Sequence, residues 1–139
     1  MKQFLKSCFV CFFVCLHVAL PGALSCTAQA AGLALGQETY ANNCVACHQA
    51  NGEGIPGAFP ALKASPLVLG DGASLLRVVL EGRGGMPTFN ASLSDEQVAA
   101  VANYIRSEWG NRADALTPAQ VQQVSRSITA VADDGSRGN

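Results

Sequence analysis

The chain has 139 residues, enough for one ordinary domain with appendages. Nine Lys and Arg stand against ten Asp and Glu, a net charge of −1 with no basic patch, which argues against nucleic acid as a partner. The hydrophobic content of 49% is inflated by one segment at the N-terminus.

That segment opens with Lys2 and Lys6, continues as the apolar run "CFVCFFVCLHVAL" from Cys8 to Leu20, and breaks at Pro21-Gly22. Ala28-Gln29-Ala30 follows as an A-x-A pattern. The combination predicts a secretory signal peptide over residues 1–30, cut after Ala30. A cut after Ser25 would instead leave Cys26 at a new N-terminus, the geometry of a bacterial lipoprotein. Membrane attachment is expected only through that lipid or through retention of the segment, whose apolar run is shorter than the ~20 residues of a spanning helix. Export places the mature chain in the periplasm. Loss of Lys2 and Lys6 leaves seven basic residues against ten acidic, a net charge of −3. Cys8, Cys11, Cys15, Cys26 and His17 are lost as well, so Cys44, Cys47 and His48 become the only cysteines and histidine.

The first predicted helix covers Leu33 to His48, with Gly36, Tyr40 and Cys44 on one face. Gln49 to Leu62 is too rich in Gly and Pro for regular structure. A second helix is expected over Ser74 to Glu81, capped by Asp71 or Ser74, with Leu75, Leu76, Val79 and Leu80 buried and Gly82 as its stop. Ser94 to Trp109 carries the clearest helical pattern. Ser94 and Gln97 form a capping box, Asp95 and Glu96 sit in the first turn, and Val98, Val101, Ile105 and Trp109 make the apolar stripe. Thr117, Pro118 and Gln120 announce a last short helix that Val121, Val124 and Ile128 would dock. "DDGSRGN" reads as a frayed tail. The expected organisation is all-α: a domain over residues 31–112, then a short helix and flexible tail over 113–139.

The chemistry lies in "CVACH", Cys44 to His48. C-x-x-C-H is the attachment signature of c-type haem. Two thiols add to the two vinyl groups of the macrocycle, and the following imidazole becomes the proximal iron ligand. A redox C-x-x-C would need a βαβ context, which is missing. Structural zinc needs four ligands, and the mature chain offers three Cys and His in all. A plain disulfide explains neither His48 nor the Gly and Pro loops. One haem c, tied through Cys44 and Cys47, is the expected cofactor.

Iron then wants a sixth ligand. Met86, in "GRGGMPTF", is the only methionine besides Met1. It stands in a loop, where a core-filling methionine is not expected. A thioether there would raise the reduction potential. Gly84 and Gly85 would let the backbone approach the haem, and Pro87 would hold the following turn. Lys63, Tyr40, Tyr104 and water are the poorer alternatives. Phe59 and Phe89 are expected in the pocket wall. Trp109 is expected to pack the C-terminal tail or reach a propionate, and Arg77 and Arg83 are further propionate candidates.

With "CVACH" early, "GMPTF" late and an amphipathic helix over Ser94 to Trp109, the chain resembles the class I cytochromes c from Leu33 to Gly110. The resemblance implies their small all-α fold of helices and long loops around one haem. It also implies a crossing of the two terminal helices at Gly36 and Tyr40 against Val101 and Tyr104. It further implies that the Pro60 carbonyl of "PAL" accepts the proximal imidazole N–H and that Leu62 packs on the haem. "GEGIPGAFPAL", "SEWGN" and "TPAQVQQV" are similar to haem domains in cytochrome subunits of bacterial quinoprotein alcohol dehydrogenases, which carry several such motifs where this chain carries one.

The expected function is one-electron transfer with His48 and Met86 on the iron, between a donor dehydrogenase and a terminal oxidase or reductase. Two alternatives stand beside it. One is a permanent cytochrome subunit of a dehydrogenase or oxidase complex. The other is a haem enzyme or gas sensor with a labile sixth ligand, for which the mature chain lacks a spare histidine.

Overall fold

The computed structural model describes residues 23–137. The signal segment up to residue 22 and the Cys26 side chain lie outside the described residues. The chain divides into two units, residues 1–30 and 31–139, and the packing described below is that of the second.

Six helices succeed one another, with no strand among the described residues: α1 (Ala23–Asn43), α2 (Val45–His48), α3 (Pro66–Leu69), α4 (Gly72–Glu81), α5 (Asp95–Ser107) and α6 (Pro118–Arg137). The all-α expectation holds. The expected first helix is broken at Cys44, so the thiols and imidazole sit on a separate turn. α3 was not foreseen, although Ser65 followed by Pro66 is a start signal of the same kind as Thr117-Pro118.

Local chemistry explains the helix ends. The Asp71 carboxylate accepts from the Ser74 amide and hydroxyl, both at 2.8 Å, and these bonds hold its pKa below the usual carboxylate range. Ser94 and Gln97 close the capping box at α5, and Thr117 with Gln120 builds the same arrangement at α6. α6 is not short. It runs to Arg137, through most of the segment expected as tail. Val121 and Val124 are buried against α4 and α5, and once that anchor fixes the first turns, each further residue adds a hydrogen bond at little cost.

The core joins α4, α5 and α6 through Leu76, Leu80, Val98, Val101 and Val121, all almost fully buried. α1 crosses α5 at Gly36, where a Cβ would strike the Ala100 carbonyl and the Tyr104 side chain. The rings of Tyr40 and Tyr104 meet beside this crossing with centroids 5.3 Å apart. Arg106 is buried on the last turn of α5. Its guanidinium donates to the carbonyls of Val68 (2.6 Å), Gly70 (3.1 Å) and Asp114 (2.9 Å), tying the end of α3 to the linker before α6. Asn103 exchanges two hydrogen bonds with Leu116 and fixes the same linker.

Gly36→Ala forces the crossing helices apart and is expected to cost about 1–3 kcal/mol of stability, the range for overpacking a tight interior. Urea unfolding of the mature holoprotein followed by circular dichroism checks this, and an unchanged midpoint refutes it.

Candidate cofactor site

The site starts on α2. Its first turn hydrogen-bonds from the His48 amide to the Cys44 carbonyl at 2.9 Å, so Cys44, Cys47 and His48 share one compact unit. Both cysteines are free thiols and partly buried. The Cys44 thiol is pushed up to about 11, first by burial and then by the neighbouring Cys47 charge. It therefore stays protonated at neutral pH.

His48 is 8% exposed, and its Nδ1 lies 2.9 Å from the Pro60 carbonyl. A carbonyl only accepts, so Nδ1 carries the proton and Nε2 is the nitrogen left for coordination. The loop between them is shaped to bring Pro60 back. The Gly54 amide donates to the His48 carbonyl at 3.0 Å, and Ile55 and Phe59 exchange backbone hydrogen bonds at 2.9 and 2.8 Å. Gly54 has φ 65°, and a Cβ there would collide with the carbonyls of Phe59 and Pro60.

Met86 arrives from the other end of the sequence. α4 stops at Gly82 with φ 74°, and a tight turn follows in which the Met86 amide donates to Arg83 at 3.1 Å. Gly84, at φ 60°, meets the conformational demand of that turn, and a Cβ there would point into open space. The Thr88 hydroxyl and the Phe89 amide then bond back to the carbonyls of Leu80 and Val79. The Met86 segment is thus held against the end of α4 on both sides.

A single cleft brings these parts together. Cys44, Cys47, His48, Pro60, Leu62, Met86 and Phe89 all line it, and so do Phe59, Arg83 and Gly85. The remaining wall is made of core residues that the sequence reading did not assign, such as Leu75, Val79, Val101 and Ile105, whose double role shows only once helices α4 and α5 are placed. The cleft has a volume of about 200 Å³ and opens to solvent at its mouth.

Other expected candidates go elsewhere. Lys63 pairs with Glu53 at 2.9 Å on the surface. Tyr40 is buried, its hydroxyl donates to the Gln49 carbonyl at 2.6 Å, and burial pushes its acidity far toward the neutral form. Tyr104 and Trp109 belong to the aromatic cluster with Tyr40, outside the cleft lining. Trp109 turns toward the segment after the candidate haem-binding motif, where its indole N–H donates to the Ala50 carbonyl at 3.0 Å. Arg77 is spent on Glu81 and Ser127, which leaves Arg83 as the arginine at the cleft.

The donor set discriminates between cofactors. Among the described residues no group of three or more His, Cys, Asp or Glu is placed to hold a bare metal ion. Two free thiols on one turn, one imidazole with Nε2 available and one thioether, all on an apolar cleft, fit a flat macrocycle that brings its own iron.

Gly54→Ala and Gly57→Ala separate shape from backbone conformation. Both positions have positive φ, but a Cβ at Gly57 meets nothing within 4 Å. Gly57→Ala should cost about 1 kcal/mol for the left-handed backbone alone, and Gly54→Ala about 1–3 kcal/mol more for the clash. Equal unfolding midpoints for the two variants would refute the claim that Gly54 gives the Pro60 carbonyl its room.

The family model described as "Cytochrome C oxidase, cbb3-type, subunit III" matches residues 31–105. The chain is 33% identical over 113 residues to the cytochrome c subunit of the quinone alcohol dehydrogenase of Gluconacetobacter polyoxogenes, a match covering 72% of this chain and 24% of that subunit. It is 39% identical over 99 residues to cytochrome c-552 of Thermus thermophilus, covering 58% of this chain and 66% of that protein. It is 37% identical over 79 residues to cytochrome c6 of Tetradesmus obliquus, covering 54% of this chain and 89% of that protein. The match thus spans about a quarter of the dehydrogenase subunit but most of the small cytochrome c6. A family model matched over more than half the chain, and a small relative matched over nearly its whole length, place the chain in the cytochrome c family of all-α electron carriers with covalently attached c-type haem.

Proposed function

We propose that this chain is an exported, periplasmic one-electron carrier, with its haem tied to Cys44 and Cys47 and with His48 and Met86 as the axial ligands. The observation that supports this best is the single apolar cleft that gathers both thiols, the imidazole and the thioether. Haem, when bound, supplies a one-electron couple between ferric and ferrous iron. The residues supply the rest. Pro60 holds His48 in one tautomer and one orientation, and this bond raises the basicity of the ring. Met86 would hold the iron through a soft thioether, which would favour the ferrous state and keep small molecules out. Leu62 and Phe89 keep water from the centre and so keep its dielectric low.

No helix of the described residues is long and apolar enough to cross a membrane. The partners in this reading are redox proteins, a dehydrogenase as donor and a terminal oxidase or reductase as acceptor, met in small transient encounters. A second reading, permanent residence as a cytochrome subunit in a dehydrogenase complex, is favoured by the likeness to the alcohol dehydrogenase subunit.

Spectra of the holoprotein test the site. A methionine-to-ferric-iron charge-transfer band, together with no carbon monoxide binding to the reduced form, is expected. Ready binding of carbon monoxide points to the haem enzyme or gas sensor instead. Met86→Ala should abolish the band, admit carbon monoxide and lower the midpoint potential. A band that survives this substitution removes Met86 from the iron. Co-purification of a dehydrogenase in stoichiometric amount would favour the second reading.

A further inference from the structure

The corner Trp109–Gly110–Asn111, which follows α5, has no part in the function just described. Resting on His48 as an axial ligand, we propose that Asn111, aided by Trp109, is a positioning residue for the proximal imidazole. It acts through the loop that carries Pro60.

Asn111 is 3% exposed, and its amide is fully used. Nδ2 donates to the carbonyls of Leu62 (3.1 Å) and Ile105 (2.8 Å), and Oδ1 accepts from the Ala64 amide (2.8 Å). Leu62 and Ala64 lie just beyond Pro60, so the downstream end of the loop is fastened to the end of α5. Trp109 fastens the upstream end. Its indole N–H donates to Ala50, and its ring covers Gly52 so closely that a Cβ there would fall on it. The Gly52 carbonyl in turn accepts from the amides of Leu62 (2.8 Å) and Lys63 (3.0 Å), joining the two ends.

Backbone strain marks the same place. Among the described residues, the non-glycine positions with positive φ are Gln49 (63°), Ala64 (54°) and Trp109 (55°). Two of them bound the loop and the third is the corner itself. Left-handed backbone at residues with a Cβ persists where the surrounding contacts over-determine it. A mere helix cap would need only the bond to Ile105. The bonds to Leu62 and Ala64 reach 49 and 47 residues back along the chain, and they hold the segment whose carbonyl sets the imidazole proton. Loosening the corner lets the Pro60 carbonyl drift, weakens the bond to His48 Nδ1 and makes the ring a poorer donor to ferric iron.

The test uses mature holoprotein as wild type, Asn111→Ala, Trp109→Phe and Val121→Ala, the last loosening α6 away from the loop. The readouts are the midpoint potential and the solvent exchange of the His48 Nδ1 proton by NMR. Asn111→Ala should raise the potential and speed the exchange about tenfold, the effect of losing one net hydrogen bond. Trp109→Phe, which keeps a ring over Gly52, should move both in the same direction by less, and it carries the test if Asn111→Ala does not fold. Val121→Ala should lower the melting temperature and move neither readout. The proposal is overturned if the Asn111 and Trp109 variants lose stability with both readouts unchanged, or if Val121→Ala moves them as far. A wild-type spectrum without imidazole and thioether on the iron overturns the ligand assignment, and this proposal with it. That outcome is visible before any variant is made.

Discussion

A carbonyl oxygen can accept a proton's hydrogen bond but never supply one. The 2.9 Å contact between the Pro60 carbonyl and His48 Nδ1 therefore settles the tautomer of the only histidine in the described part of the chain. Everything local is arranged around that fact. Gly54 leaves room for the carbonyl, the Ile55–Phe59 exchange turns the chain back, and Gly52 receives two amides from the returning strand. The imidazole nitrogen that remains is aimed by a backbone carbonyl rather than by a carboxylate.

The rest of the fold supplies two supports for this centre. One is the tight crossing of α1 and α5 at Gly36, with the aromatic cluster of Tyr40, Tyr104 and Trp109 beside it. The other is the end of α4, onto which the Met86 turn is bonded through Thr88 and Phe89. A domain this small buries limited apolar surface, and a long loop can line its centre only because the cofactor contributes apolar surface there. α4 and α5 start at side-chain caps, so where they begin is defined without much tertiary help.

Much of this was legible in the residues. "CVACH" names the cofactor, and the uniqueness of Met86 in a Gly and Pro loop names its partner across the cleft lining. The caps at Asp71, Ser94 and Thr117 are where the side-chain chemistry demands. What stayed hidden depends on contacts between distant segments. Trp109 continued the apolar stripe of its helix, yet the helix stops at Ser107 and a left-handed turn sends the ring to the haem-motif loop. Asn111 is an ordinary polar residue in the sequence, and two of its three partners lie nearly fifty residues away. The length of α6 escaped because Asp133-Asp134-Gly135 is poor helix-forming sequence, and local propensity does not register an anchor at Val121 and Val124.

Arg106 shows a different kind of consequence. Its three acceptors are all backbone carbonyls, and the ion pairs among the described residues, Lys63–Glu53 and Arg77–Glu81, leave it out. Guanidinium does not lose its proton in proteins, and peptide carbonyls do not gain one. One side chain on the last turn of α5 therefore fastens the end of α3 to the linker before α6 without a carboxylate partner, so the joint between these segments rests on peptide oxygens alone.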